Sequence, residues 1–262
     1  MKQIGFLGLG KMGSAILNGI LTNKLYKSSD IAFYAPSKET QEKYQAKGLC
    51  LVCDEATLFE NSQIIIMAVK PQQYDTILKM VTNLDLSGRI IISLAPGKSI
   101  SYLQSYLKGA SIVRVMPNTP ASIGKAVTTI AFGGDTKKEV LDIFSSIGTY
   151  VIVTEDKIDE AIPLNGSMPA FLLYFVKCFI ENGIAHGISE ADAKQLALHT
   201  IIGVCEMALT SEFDLDTLIS NVCSKGGSTI EGLNALIDGG LSDIIEACYD
   251  ACVARSKELQ NV

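Results

Sequence analysis

The sequence predicts an α/β domain built on a doubly wound sheet, followed by an all-helical domain. Three observations carry that prediction. Short apolar, β-rich runs alternate with helix-length segments through residues 1–155. Longer helical stretches separated by glycines fill residues 156–262. A length of 262 residues is also large for one core and suits two domains of roughly 100–150 each.

In chain order, "QIGFLG" (3–8) is the first apolar run, and "KMGSAILNGILTN" after it reads as helix. "IAFY" (31–34) precedes a polar helix, "SKETQEKYQAKG", and then the strand-like "LCLVC" (49–53). "QIIIMAV" (63–69), a helix over about 72–84, "RIIISLA" (89–95) and "SIVRVMP" (111–117) follow. "AVTTIAF" and "YVIVT" are weaker strands that close this half near residue 154. Continuous rather than alternating apolar runs are expected of a parallel sheet covered on both faces. In the second half, "SMPAFLLYFVKCFIENGIAHG" is apolar almost all round, so it should be buried on every side, against a partner subunit as well as its own chain. "SEADAKQLALHTIIGVCEMAL" opens with an N-cap signal at Ser189, three residues before Asp192. "LDTLISNVC" and "LSDIIEACYDACVARSKEL" complete the helical set.

Composition narrows the functions. At 48% hydrophobic and 19% charged the chain is not disordered. A net charge of −6, with no run of Lys or Arg beyond two, argues against a nucleic-acid or anionic-membrane partner. The glycine-rich start lacks the pattern of a secretory leader, and Ala170–Ile180 is about half of the ~20 residues a membrane span needs, with Lys177 inside it. The expectation is a soluble, cytoplasmic protein. An odd count of seven cysteines suggests free thiols packed as small apolar groups; Cys50 and Cys53, three apart on a strand, point to opposite faces. With two histidines, His186 and His199, no metal site is expected.

"GLGKMG" (8–13) leaves a predicted strand and opens a predicted helix. In that context Gly8 permits a tight turn, Gly10 lets a pyrophosphate approach the backbone, and Gly13 or Ala15 allows close helix–strand packing. The helix N-terminus adds free N–H groups and partial positive charge. This is the signature of a Rossmann-like NAD(P)-binding domain. After "IAFY" the chain reads Ala35-Pro36-Ser37-Lys38; Asp30 precedes that strand and lies at its wrong end. With no carboxylate to repel a 2′-phosphate there, and with Ser37 and Lys38 at a helix start, NADPH is favoured over NADH, which stays possible. "AVKPQ" (68–72) and "RVMPNTPASIG" (114–124) also fall at C-terminal strand ends, where Lys70 and Asn118 offer donors near the cleft.

The helical half is interrupted by "SKGGST" (224–229). Ser228 and Glu231 have capping-box spacing. Either those side chains consume the backbone donors of a plain connector, or Gly226 and Gly227 leave them open to a carboxylate.

On "IGFLGLGKMGSAI", "AVKPQ", "RVMPNTPA", "NGSMPAF" and above all "VCSKGGSTIEGL", in that order and nearly end to end, the chain resembles pyrroline-5-carboxylate reductases. The resemblance implies an N-terminal NAD(P)-binding domain and a helical domain that interlocks two subunits of a homodimer. It implies reduction of L-Δ1-pyrroline-5-carboxylate, a small molecule, to L-proline. Gly8, Gly10, Lys11 and Met12 would then hold the dinucleotide, with Ala35 and Ser37 near the adenosine ribose. Ala68, Val69, Lys70, Pro71, Ala95 and Gly97 would line the cofactor cleft. Ser224, Gly226, Gly227, Ser228 and Thr229 would bind the substrate carboxylate, with Thr229 beside the ring nitrogen as the catalytic hydroxyl. Departures from the family pattern are Pro96, Asn165, Met168, Lys225 and Ser228. A general imine reductase, a β-hydroxyacid dehydrogenase or a dinucleotide sensor without chemistry are the alternatives. The first two would want a catalytic lysine or aspartate among the helices, where Lys177 reads as a snorkelling or paired lysine.

Overall fold

The structure, a computed structural model, describes residues 1–260. The chain begins with β1 (Lys2–Leu7), α1 (Lys11–Thr22), β2 (Ile31–Tyr34), α2 (Lys38–Gln45), β3 (Cys50–Leu51) and α3 (Glu55–Asn61). It continues through β4 (Ser62–Met67), α4 (Tyr74–Val81), β5 (Ile90–Ser93), α5 (Ile100–Tyr106) and β6 (Ser111–Pro117). β7 (Ala126–Phe132), α6 (Lys138–Ser145), β8 (Gly148–Ile152) and α7 (Glu155–Ile158) follow. The rest is helical: α8 (Met168–Ala185), α9 (Glu190–Thr210), α10 (Leu215–Val222), α11 (Ser228–Asp238) and α12 (Leu241–Gln260).

All eight strands form one sheet in the order β3-β2-β1-β4-β5-β6-β7-β8. Pairing is parallel from β3 to β6, antiparallel between β6 and β7, and parallel again between β7 and β8. Order reverses at β1, between β2 and β4, which is where open α/β sheets bind ligands. The strands are apolar without alternation because both faces are covered. Ile64 and Ile66 point into one core with Ile16, Leu17 and Ile20 of α1; Ile65 and Met67 point into the other with Phe59 of α3 and Leu78 of α4.

Two compact units result: Met1–Met168 together with α12 from Cys252, and Pro169–Ala251. In the first, Arg114 is 4% exposed and reaches Glu155 at 3.1 Å and Asp159 at 3.4 Å, tying β6 to the segment around α7. Asn165 is also buried there: its amide donates to the Met116 carbonyl and the Thr129 hydroxyl. This departure from the family pattern therefore braces the end of β6 against the middle of β7.

Three expectations need correction. "LCLVC" is strand only at Cys50–Leu51, so Cys53 lies in a turn, its thiol 3.2 Å from the Thr57 hydroxyl. The seven cysteines are free, but none is buried: Cys53 and Cys205 are exposed and the others half-buried. The all-apolar helix α8 is not buried by its own chain, where only Val176 is buried and Phe175 and Phe179 are exposed, so of the two covers expected for it only the partner subunit is left. One chain has no second layer to place over it, whatever its composition demands. Among the described helices α8 alone is long and apolar enough to cross a membrane, with mean hydropathy 1.3 over 18 residues. Its face nevertheless carries the ion pair Lys177–Glu181, with both side chains exposed.

Candidate active site

The glycine-rich turn sits at the topological switch point, and its geometry follows from the β1–β4 pairing. Leu7 lies beside Met67, and the Ala68 N–H donates to the Leu7 carbonyl at 2.8 Å, so the chain after β4 runs along the turn. Gly8 has φ +92°, and a Cβ there would stand 2.9 Å from Val69 Cγ1 and 3.0 Å from the Ala68 backbone. A Cβ on Gly13 would stand 2.4 Å from the Gly8 carbonyl, which makes Gly13 the close-packing glycine. Around Gly10, by contrast, a Cβ would meet nothing within 4 Å. Gly10 is also the N-cap of α1, and no side chain caps it. The first-turn donors, including the N–H groups of Lys11 and Met12, thus face an open space with the helix dipole behind them. A cradle of this kind fits a pyrophosphate.

Of the cofactor residues expected from sequence, Gly8, Gly10, Ala35, Ser37, Ala68, Val69 and Lys70 line one cleft over this turn. Lys11 and Met12 open α1 beside it, Pro71 starts the 3-10 turn after Lys70, and Ala95 and Gly97 follow β5. Lys38 begins α2 but is exposed and does not line the cleft. Ser37 caps α2, accepting from the Thr40 N–H at 3.2 Å and donating to the Thr40 hydroxyl. Asn118 is partly engaged within the fold: its side chain accepts the Val127 N–H at 3.0 Å and donates to the Asn165 carbonyl at 3.4 Å. That amide fastens the β6–β7 connection with its oxygen and one of its two N–H donors.

The cleft also holds residues that the sequence did not mark, among them Tyr34, Thr40, Gln73 and Glu55. Gln73 accepts the Lys70 N–H at 3.3 Å and so fixes the loop after β4. Glu55 adds a carboxylate to the cleft that residues 35–38, read alone, do not supply. It enters through the pairing of β2 with β3, Ala32 beside Cys50 and Phe33 beside Leu51, which sets the start of α3 next to the end of β2. Burial, then the charges of Glu55 and Asp54, push the Tyr34 phenol above its ordinary range.

In the helical unit, "SKGGST" is the bend between α10 and α11. The Gly227 N–H donates to the Ser224 carbonyl at 3.0 Å, and Gly226 has φ +71°. A Cβ on Gly227 would lie 2.4 Å from Ser224 Oγ, so the bend closes on itself there. The capping box does not form: Gly227 is the N-cap of α11, Ser228 is its first residue, and no side chain caps the helix. Ser228 is one position too late to reach back. The donors at Ser228, Thr229 and Ile230 consequently remain open, and Ser224, Lys225, Ser228 and Thr229 are exposed around them. Lys177 is occupied, its ammonium held by Glu181, which raises its pKa. His186 is engaged with the Asn182 carbonyl at 2.8 Å. No group of three or more His, Cys, Asp or Glu is placed to hold a metal among the described residues.

Comparison with known proteins places the chain. Residues 155–259 match the model for pyrroline-5-carboxylate reductase dimerisation, and residues 3–97 that for coenzyme F420-dependent NADP oxidoreductase. A pyrroline-5-carboxylate reductase of Methanosarcina acetivorans is 35% identical over 98% of both chains. The crystal structure of a Plasmodium falciparum pyrroline carboxylate reductase with NADP bound superimposes with TM-score 0.88 at 30% identity, over 99% of this chain and 98% of that one. A reductive aminase from Aspergillus terreus shares the fold alone, with TM-score 0.61 at 15% identity, over 96% of this chain and 94% of that one.

Proposed function

This chain belongs to the pyrroline-5-carboxylate reductase family, and we propose from its sites that it reduces L-1-pyrroline-5-carboxylate to L-proline with NADPH, as a cytoplasmic enzyme. The observation that carries the site assignment is the uncapped bend at Gly226–Thr229. Backbone donors held open by two glycines suit the one anionic group of a small cyclic imine. We take residues 1–155 as the dinucleotide domain and 156–262 as the helical domain. The apolar faces of the helices, α8 foremost, support a homodimer built through that second domain.

When bound, the reduced nicotinamide supplies the hydride that adds to the imine carbon. The chain's own residues do the rest. The open N-terminus of α1 and the turn at Gly8–Gly10 hold the pyrophosphate; Ala68 to Lys70, pinned by Gln73, wall the cleft. The first-turn N–H groups of α11 fix the substrate carboxylate and with it the orientation of the ring. A neutral imine is a poor hydride acceptor, so its nitrogen must gain a proton before or during transfer. With Lys177 and His186 engaged elsewhere, Thr229 is the hydroxyl that hydrogen-bonds this nitrogen, and water is the proton source. Positioning and electrostatics then account for most of the rate.

The test is to follow nicotinamide absorbance with NADPH and pyrroline-5-carboxylate, identifying proline chromatographically. NADPH binding without turnover would leave a dinucleotide-binding protein and refute the enzyme; turnover of acyclic imines in preference would refute the substrate.

A further inference from the structure

Among the residues lining the dinucleotide cleft only two carry charge, Glu55 and Lys70. They stand on opposite sides of it. Glu55 opens α3, directly after β3; Lys70 follows β4; β2 and β1 lie between those strands. Three strand spacings make about 14 Å, well beyond the ~8 Å screening length at physiological salt. Lys70 therefore does not neutralise Glu55, and no cation pairs with Glu55 among the described residues. On the β2 side Glu55 shares the cleft with Tyr34, Ser37 and Thr40. Ser37 already gives its proton to Thr40 at 2.8 Å, and Lys38 lies outside the lining. This end of the cleft thus offers hydroxyls and one carboxylate, without a cation.

We propose that Glu55 sets this chain's choice between the two nicotinamide dinucleotides, accepting hydrogen bonds from an unmodified adenosine ribose and opposing a 2′-phosphate. Its presence narrows the preference for NADPH and keeps NADH usable. The inference rests on the dinucleotide reading of the cleft given above. The upward push of Glu55 on the Tyr34 phenol agrees with a carboxylate whose field reaches this end of the cleft. A carboxylate facing a doubly charged phosphate across ~6 Å of water-like medium changes affinity by about tenfold.

The experiment measures dissociation constants of the full-length protein by calorimetry for NADP⁺, NAD⁺, 2′,5′-ADP and 5′-AMP. Wild type, Glu55→Gln and Glu55→Asp are compared. Glu55→Gln should tighten NADP⁺ and 2′,5′-ADP about tenfold while leaving NAD⁺ and 5′-AMP unchanged or a few-fold weaker. Glu55→Asp, which keeps the charge, should retain the wild-type ratio. An NADP⁺ to NAD⁺ ratio within twofold of wild type in Glu55→Gln overturns the assignment, as does an equal weakening of all four ligands. If none of the four binds wild type, the cleft itself has been misread and this inference falls with it.

Discussion

Replacing Gly10 by alanine separates folding from cofactor binding, because the two depend on different properties of that position. The residue has φ −69° and ψ −164°, extended backbone that alanine adopts without strain, and its added methyl would meet nothing within 4 Å. Alanine is a poorer N-cap than glycine by about 0.5–1 kcal/mol. Against that, removing glycine's freedom from the unfolded chain contributes about 0.4–1 kcal/mol of stability. The two nearly cancel, so Tm should move by no more than roughly 2–4 °C. Binding has no such compensation. The methyl fills the opening in front of the uncapped α1 N-terminus. Displacing a phosphate from one or two charge-assisted N–H contacts, each worth about 1.5–3 kcal/mol, weakens NADPH by at least about tenfold. Fluorescence titration of NADPH alongside a thermal melt reads both quantities on one sample. Gly8→Ala is the contrast: with φ +92° and a Cβ 2.9 Å from Val69, it should lower Tm and binding together. If Gly10→Ala binds NADPH as wild type does, the pyrophosphate does not approach at this turn and the cleft assignment is wrong.

Thr229→Ala should lower kcat/KM for the imine by the equivalent of about 1–3 kcal/mol and leave the NADPH dissociation constant unchanged; wild-type turnover would remove Thr229 from the mechanism. Tyr74 donates to the Met67 carbonyl at 2.7 Å and accepts from Ser93, so Tyr74→Phe should cost about 1–3 kcal/mol in denaturant melts at pH 7. Burial holds its phenol at about 12, above the ordinary 10.0, so the unfolded chain ionises first and wild type loses stability from pH 10 toward 12. The gap between wild type and Tyr74→Phe should therefore close by about 1.4 kcal/mol per pH unit across that window; a constant gap would contradict the burial of this hydroxyl. Arg114→Met leaves Asp159, 5% exposed, without its guanidinium and should cost about 3–5 kcal/mol in the same melts, and a loss under 1 kcal/mol would refute the brace between β6 and the α7 segment.

The local chemistry was legible in the sequence wherever it depended on near neighbours. "IAFY", "SIVRVMP" and "AVTTIAF" are strands over the expected residues, and Ser189 caps α9 by accepting the Asp192 N–H at 3.1 Å. The turn at Gly8–Gly10 falls on the switch point because a strand–glycine–helix order allows little else. What failed was whatever depended on register or on remote chain. Ser228 had the right spacing to Glu231, but the turn at Gly226 sets the helix phase one residue early, and spacing alone does not report phase. Glu55 is 45 residues from Gly10, and only the pairing of the two-residue β3 with β2 brings it to the cleft. The bonds of the Asn118 amide to Asn165 and Val127 are likewise contacts with remote chain that no sequence pattern shows.

Helix α8 is the instructive case, because its composition called for a partner subunit as well as its own chain, and its own chain covers little of it. An apolar girth states that burial is required; it does not say which chain provides it. With Val176 alone buried, and Met168, Phe171, Leu172, Leu173, Tyr174, Phe175, Phe179 and Ile184 exposed, the deficit on this one helix is eight large side chains. Full burial from full exposure contributes about 1.5–3 kcal/mol per side chain and these stand 36–69% exposed, so cover for α8 alone is worth on the order of 10 kcal/mol to whatever supplies it. A term that size rivals the whole stability of an ordinary domain. Folding of the helical unit and its association with a second copy should then be one equilibrium, with a melting temperature that rises with protein concentration.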